Sequence, residues 1–397
     1  KEYVFKFIKF MQYLIYKTAE QWKSKTIQIL DLGCGRGADL ISWNRIHESP
    51  NHANIGFYLG IENDMNNLMD QMDGAYSRYY SGKSTNKYVR EVGFPYKYKF
   101  LALMLQGNCR EAFQHNFKQT KNESEYEEET KHPKKVTWSN LHSELYKYLW
   151  NNDYVNPYLQ KMTRIQEYKG RWLKKFEIIS IQMAMHHLYD SEHFWNNIKQ
   201  SLHEKGVVIA TVPNGDKIKE MLSKNKGVYN IKDINIVYKA HTNPDKVYVS
   251  TSKINLSDEP LFIKKKAKEY SRQHELDIEI IPFHTFIGEP TSSSNDSPLN
   301  IYYTYGSNIK LNSVNRVKLV GNETDIMSDY KRFVPGKDKV VSEQKSSIEG
   351  VHKEEYAIPN KNVNIYSKEF HSVVLIKHSS NVSSIFNDFL PIKLPWY

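Results

Sequence analysis

The chain has 397 residues, 25% of them charged and 40% hydrophobic, with a formal net charge of +10 at pH 7. That length is ample for a sizeable core in one elaborated domain or two, and the cation excess favours a polyanionic partner. No apolar run approaches bilayer length, and Cys34 and Cys109 alone build neither a disulfide framework nor a cysteine-based zinc site. A soluble protein in a reducing compartment, with no membrane partner, is therefore expected.

In chain order, residues 3–21 place Val4, Phe7, Phe10, Met11 and Leu14 at helical spacing and predict an amphipathic leading helix. Residues 26–32 read as a buried parallel strand, which runs into Gly33-Cys34-Gly35-Arg36-Gly37 and then a helix carrying Ala38, Asp39, Leu40, Ile41 and Trp43. Glycine has no Cβ, so this bend can take positive φ and let a ligand approach bare backbone. A phosphate-cradling loop ending in Gly-Lys-Ser or Gly-Lys-Thr is excluded, because no such ending is present. Gly33, Gly35 and Ala38 still fit the dinucleotide pattern G-x-G-x-x-A, which leaves a nicotinamide enzyme open as an alternative.

Further strands are predicted at 57–62, 98–105, 176–182 and 207–212, with helices at 65–80 and at 190–202, the second capped by its own acid, Asp190. Strand-rich stretches at 227–229, 234–240 and 247–254 suggest a small antiparallel insert at about 225–257, followed by a basic helix bearing Lys264, Lys265, Lys266 and Lys268 and a strand at 276–281. Alternating strands and helices imply an α/β fold with a mostly parallel sheet covered on both faces. The expected organisation is a core over 1–290 with an acid-rich surface insertion at about 115–140, an irregular excursion over 291–360, and a closing strand with its tail over 361–397. The histidines, His352 and His371 among them, are scattered without ligand spacing, so no metal site is expected.

The run Asp31-Leu32-Gly33-Cys34-Gly35-Arg36-Gly37-Ala38-Asp39 resembles motif I of class I S-adenosylmethionine-dependent methyltransferases. It is especially similar to that of the mRNA cap guanine-N7 methyltransferases, which reads Asp-Leu-Gly-Cys-Gly-Lys-Gly-Gly-Asp. Gly60-Ile61-Glu62-Asn63-Asp64, the stretch from Phe176 to His187, and Ile209 to Asp216 follow in the family's order. The likeness is closest to the methyltransferase module of large capping enzymes of cytoplasmic DNA viruses, such as poxviruses and asfarviruses. The short lead before motif I suits an excised module.

The resemblance implies a Rossmann-like seven-stranded sheet, S-adenosylmethionine as cofactor, and the capped 5' end of mRNA, GpppN-RNA, as acceptor. Triphosphatase and guanylyltransferase domains in the same parent polypeptide, a stimulatory subunit, and a location in the host cytoplasm or virion, or in the nucleus for a cellular enzyme, go with it. It places Gly33, Gly35 and Gly37 beside the cofactor's methionine half, Asp39 at its ammonium, Lys9 at its carboxylate and Glu62 on the ribose hydroxyls. Asn108, or Gly107 in the same column, falls near the adenine, and Gln182 lines the same cofactor. On the cap side it places Arg36 and Arg78 at the phosphates, Phe5 or Met183 as an apolar wall, and His186, His187, Glu259 and His371 around the base. His187 and His371 stand where the family has tyrosines. Guanine N7 carries no proton to remove, so these residues are expected to position the reactants, with no general base. Tyr79, Tyr80, Lys83, Lys87, Tyr88 and Arg90 interleave aromatics with cations in a way that suits RNA, as does the lysine run. The alternatives are a methyltransferase for another RNA or small-molecule acceptor, or a catalytically weak module of the same fold that binds RNA or a partner.

Overall fold

The computed structural model describes residues 22–48, 52–70, 74–81, 98, 100–113, 138–156, 165–231, 236–250, 257–282 and 371–379, together with 15, 18 and 19. Strands β1 (Thr26–Leu32), β2 (Asn54–Glu62), β3 (Ala102–Gln106), β4 (Phe176–Gln182), β5 (Leu202–Pro213), β10 (Leu276–Pro282) and β11 (His371–His378) form one seven-stranded sheet in the order β10-β11-β5-β4-β1-β2-β3. β1 pairs in parallel with β2 and β4, and β2–β3 and β4–β5 are also parallel. β11 runs antiparallel to both β5 and β10. The α/β, Rossmann-like class predicted from the sequence is therefore the fold observed.

Residue patterning explains why the sheet is covered on both sides. Along β1, Ile27 and Ile29 enter one core with Trp43, Tyr58 and Met104, whereas Leu30 and Leu32 enter the other with Phe57, Trp172 and Phe176. A strand with two apolar faces cannot border water, so helices pack against both. These are α1 (Leu40–Glu48), α2 (Met65–Met69), α3 (Ala75–Ser81), α4 (Trp138–Trp150), α5 (Glu192–Ser201) and α7 (Lys264–Gln273), whereas α6 (Gly215–Lys224) packs on a smaller core. The chain order reverses between β1 and β4, which opens a crevice at the carboxyl ends of these strands, where α/β sheets take ligands.

β1 and β4 have the boundaries expected of them. The helix expected over 65–80 is two pieces: Asp64 caps α2 by accepting from the Asn66 amide, and the chain leaves helical geometry at Asp70 with ψ 120°. Asp190 does not cap α5. Ser191 holds that position without a side-chain cap, while Asp190 pairs with Arg110 at 2.7 Å. α4 and α6 were not expected. α4 occupies part of the segment assigned to the surface insertion and buries Leu145, Tyr146, Tyr148 and Leu149. Its last residue, Trp150, stacks on Trp172 with ring centroids 4.7 Å apart.

The insert is a second, antiparallel sheet of β6 (Val228–Ile231), β7 (Ile236–Ala240), β8 (Lys246–Ser250) and β9 (Ser257–Pro260). It reaches beyond 257, because β9 supplies its fourth strand. Ile231, Tyr238 and Val247 pack with Ile218 and Leu222 of α6 in a small core of their own. Ile15, Thr18 and Ala19 are helical and buried, in keeping with a leading helix. Phe5, Lys9, the acid-rich stretch, the 291–360 excursion, the Lys83 to Arg90 segment and the tail lie outside the described residues. Among the described residues no helix is long and apolar enough to cross a membrane.

Candidate active site at the strand ends

The glycine bend leaves β1 and folds onto the end of β2, with the Gly33 amide donating to the Ile61 carbonyl at 2.8 Å. Gly33, Gly35 and Gly37 have φ values of +72°, +54° and +67°. Their surroundings differ. A Cβ at Gly33 would stand 2.7 Å from that of Ala184, whereas one at Gly35 would meet nothing within 4 Å. Gly33 is thus required by packing against the chain after β4, and Gly35 borders open space where a ligand can approach the main chain.

Glu62, at the end of β2, braces this bend. Its Oε2 accepts from the Gly35 amide at 2.8 Å and its Oε1 from the Asp64 amide at 3.0 Å. The carboxylate is thereby fixed at the lip of the crevice. Beneath the bend, buried Asp31 accepts from the Tyr58 hydroxyl at 2.8 Å, and burial together with the charge of Asp39 raises its pKa to about 8. Asp39 is raised to about 6, again chiefly by burial, with Arg78 pulling the other way. Arg78 therefore acts on Asp39. Arg36 forms an exposed ion pair with Asp70 at 3.2 Å.

Gln182 and Asn108, both assigned to the cofactor, have their amides engaged within the protein. Gln182 Nε2 donates to Ser180 at 3.2 Å, and its Oε1 accepts from Thr211 at 3.1 Å. Asn108 Nδ2 donates to Glu111 at 2.8 Å, and its Oδ1 accepts from the Arg110 amide at 3.0 Å. Both residues shape their loops through these bonds. Met183, directly after β4, has φ +56°, a left-handed conformation that costs about 1–3 kcal/mol in a residue with a side chain. Its amide donates to the Thr211 carbonyl of β5, which holds the strained turn in place.

That turn continues into a 3₁₀ segment, Met185–His187, where the residues assigned to the base from the sequence come together. β9 of the insert brings Glu259 to 3.4 Å from His187 Nε2 and 3.9 Å from His186 Nε2. His371, at the start of β11, lies near enough that its charge would depress the pKa of His186. Residues from β9 and β11 thus reach the turn after β4. Burial is the main cause holding both imidazoles below their usual pKa, with the Glu259 charge opposing it at His187.

Three contributors were not anticipated. Arg110 donates to the His187 carbonyl at 2.6 Å and pairs with Asp190, clamping the 3₁₀ segment to the loop after β3. Tyr189 donates to the Leu261 carbonyl at 2.7 Å and accepts from the Ile263 amide at 3.2 Å, tying the same segment to the chain after β9. Thr211 holds Gln182 and Met183. No motif spacing marks these residues, because each acts across elements far apart in sequence. Tyr79, read as facing RNA, is instead buried and donates to the Phe100 carbonyl at 2.7 Å. Of the α7 lysines, Lys266 is engaged by Asp245, while Lys265 and Lys268 are exposed.

No family model and no curated protein matches this sequence. Similar solved structures include an S-adenosylmethionine-dependent methyltransferase from Clostridium acetobutylicum, at 11% identity and TM-score 0.33, covering 66% of this chain and 78% of that one. The plantazolicin methyltransferase in complex with SAH is similar at 9% identity and TM-score 0.34, over 93% and 85% of the two chains. The YcgJ protein from Bacillus subtilis is similar at 9% identity and TM-score 0.33, over 92% and 96%.

Proposed function

We propose that this protein transfers the methyl group of S-adenosylmethionine to guanine N7 of a GpppN-RNA cap, giving m7GpppN and S-adenosylhomocysteine. The observation that carries the reading is the pairing of two half-sites on adjoining strand ends. One is an open, left-handed glycine bend flanked by the carboxylates of Glu62 and Asp39. The other is the cluster of His186, His187 and Glu259 on the turn after β4.

Each half suits one reactant. Glu62 has two acceptor oxygens for a vicinal diol such as a ribose, and Asp39 offers a carboxylate to the ammonium of a methionine moiety. Glu259 can accept from the N1 and amino protons of guanine, and a neutral imidazole can stack on its ring. With N7 unprotonated, in-line attack on the sulfonium carbon needs geometry and a suitable field rather than a base. The +10 net charge supports a polyanionic acceptor.

Radiolabel transfer from S-adenosylmethionine to GpppA and GpppG, compared with uncapped guanosine, tests the reading. Labelled m7G on the capped substrates is expected, and label on uncapped guanosine at equal rate would reject cap specificity. Glu62→Ala removes two charge-assisted acceptors worth about 1.5–3 kcal/mol each, so the Kd for the methyl donor should rise at least about 10-fold by calorimetry. An unchanged Kd would remove Glu62 from the site.

A further inference from the structure

We propose that His186, His187 and Glu259 bind a divalent transition-metal ion, zinc being the best match. Their candidate ligand atoms all lie within 4.8 Å of one another. His187 Nε2 and His186 Nε2 stand 3.4 Å and 3.9 Å from the same Glu259 oxygen. Around tetrahedral zinc with ligand bonds of about 2.0–2.2 Å, neighbouring ligand atoms are about 3.4 Å apart. The His187–Glu259 pair already has this spacing, and movements of up to about an ångström by the side chains would close the group on an ion. Two imidazoles and a carboxylate suit zinc, and three protein ligands leave a position open for water or an acceptor atom.

Two observations favour an ion at this place. His186 is 6% exposed, yet its Nδ1 has no hydrogen-bond partner and its Nε2 is beyond hydrogen-bond reach of Glu259. A buried polar group left this way is costly, and coordination through Nε2 would fix one of the two ring nitrogens. Glu259 meanwhile pairs with no lysine or arginine among the described residues, so its carboxylate faces the two imidazoles. Arg110 does not fill this place, because its guanidinium lies on the His187 carbonyl and on Asp190.

The inference does not depend on methyl transfer, and its test uses neither donor nor acceptor. Protein stripped with a chelator is titrated with zinc chloride by calorimetry and with cobalt chloride followed by visible absorption. One equivalent of each ion should bind, with the intense visible bands of four-coordinate cobalt. Glu259→Gln and His187→Ala replace partly exposed side chains and should leave the metal-free melting temperature unchanged. Each should weaken binding by at least about 100-fold, since even outer partners of a metal ligand account for ~10–100-fold. Absence of saturable binding by the wild type, or binding of undiminished affinity in both folded variants, would overturn the proposal.

Discussion

Gly33 and Gly35 share a left-handed conformation, and their neighbours separate what each does. Alanine at either position meets a backbone cost of about 1–2 kcal/mol, and at Gly33 a clash with Ala184 adds to it. Gly33→Ala should therefore lower the melting temperature more than Gly35→Ala. Gly35→Ala should weaken methyl-donor binding by about 10-fold or more while the fold persists, because its new methyl points into the crevice. Equal melting losses with unchanged donor affinity would refute this division. Asp39 adds a pH signature. Its pKa of about 6 is raised from the usual value by burial, so below that pH the carboxyl is protonated and cannot pair with an ammonium. Donor affinity should hold above pH 7 and fall about 10-fold by pH 5, a dependence that Asp39→Asn should flatten. Calorimetry across that range reads it directly, and a flat wild-type profile counts against a role for Asp39.

At the level of elements, the base-side cluster depends on holding β9 against the turn after β4. Tyr189 makes this connection with one hydroxyl, bonded to Leu261 and Ile263 on the chain that leaves β9. Tyr189→Phe leaves both backbone groups without that partner, at a cost of about 1–3 kcal/mol. Glu259 then loses its fixed placement, so the KM for capped acceptor should rise while the Kd for the methyl donor stays unchanged. A fall in kcat alone would show that Tyr189 does not place the acceptor. The glycine bend, β1 and β4 were legible because their signals are local: an apolar run, then residues chosen for backbone freedom. α6 lay outside the elements predicted from the sequence, although Asn214 caps it by accepting from the Lys217 amide. α4 was hidden beside an acid-rich surface stretch, and its burial depends on Trp172 from a distant part of the chain.

For the molecule as a whole, two sheets with separate cores imply unequal local stability. The large sheet is buried on both faces, whereas the insert packs a small set of side chains around Tyr238 and Val247. In hydrogen exchange the amides of β6 to β9 should open well before those of β1, β4 and β5, through a sub-global unfolding that leaves the parallel sheet intact. Simultaneous exchange of both sheets would mean that they unfold as one unit. By itself the sequence determined the α/β class and the glycine bend with Glu62 beside it, since strand patterning and positive-φ turns are written in neighbouring residues. Only the tertiary structure decided the distances at which His186, His187 and Glu259 meet, that Arg110 and Tyr189 clamp the segment carrying the histidines, and that Tyr79 is buried. Those outcomes depend on segments far apart in the chain coming to lie against one another, and such contacts carry no periodic signal along the sequence.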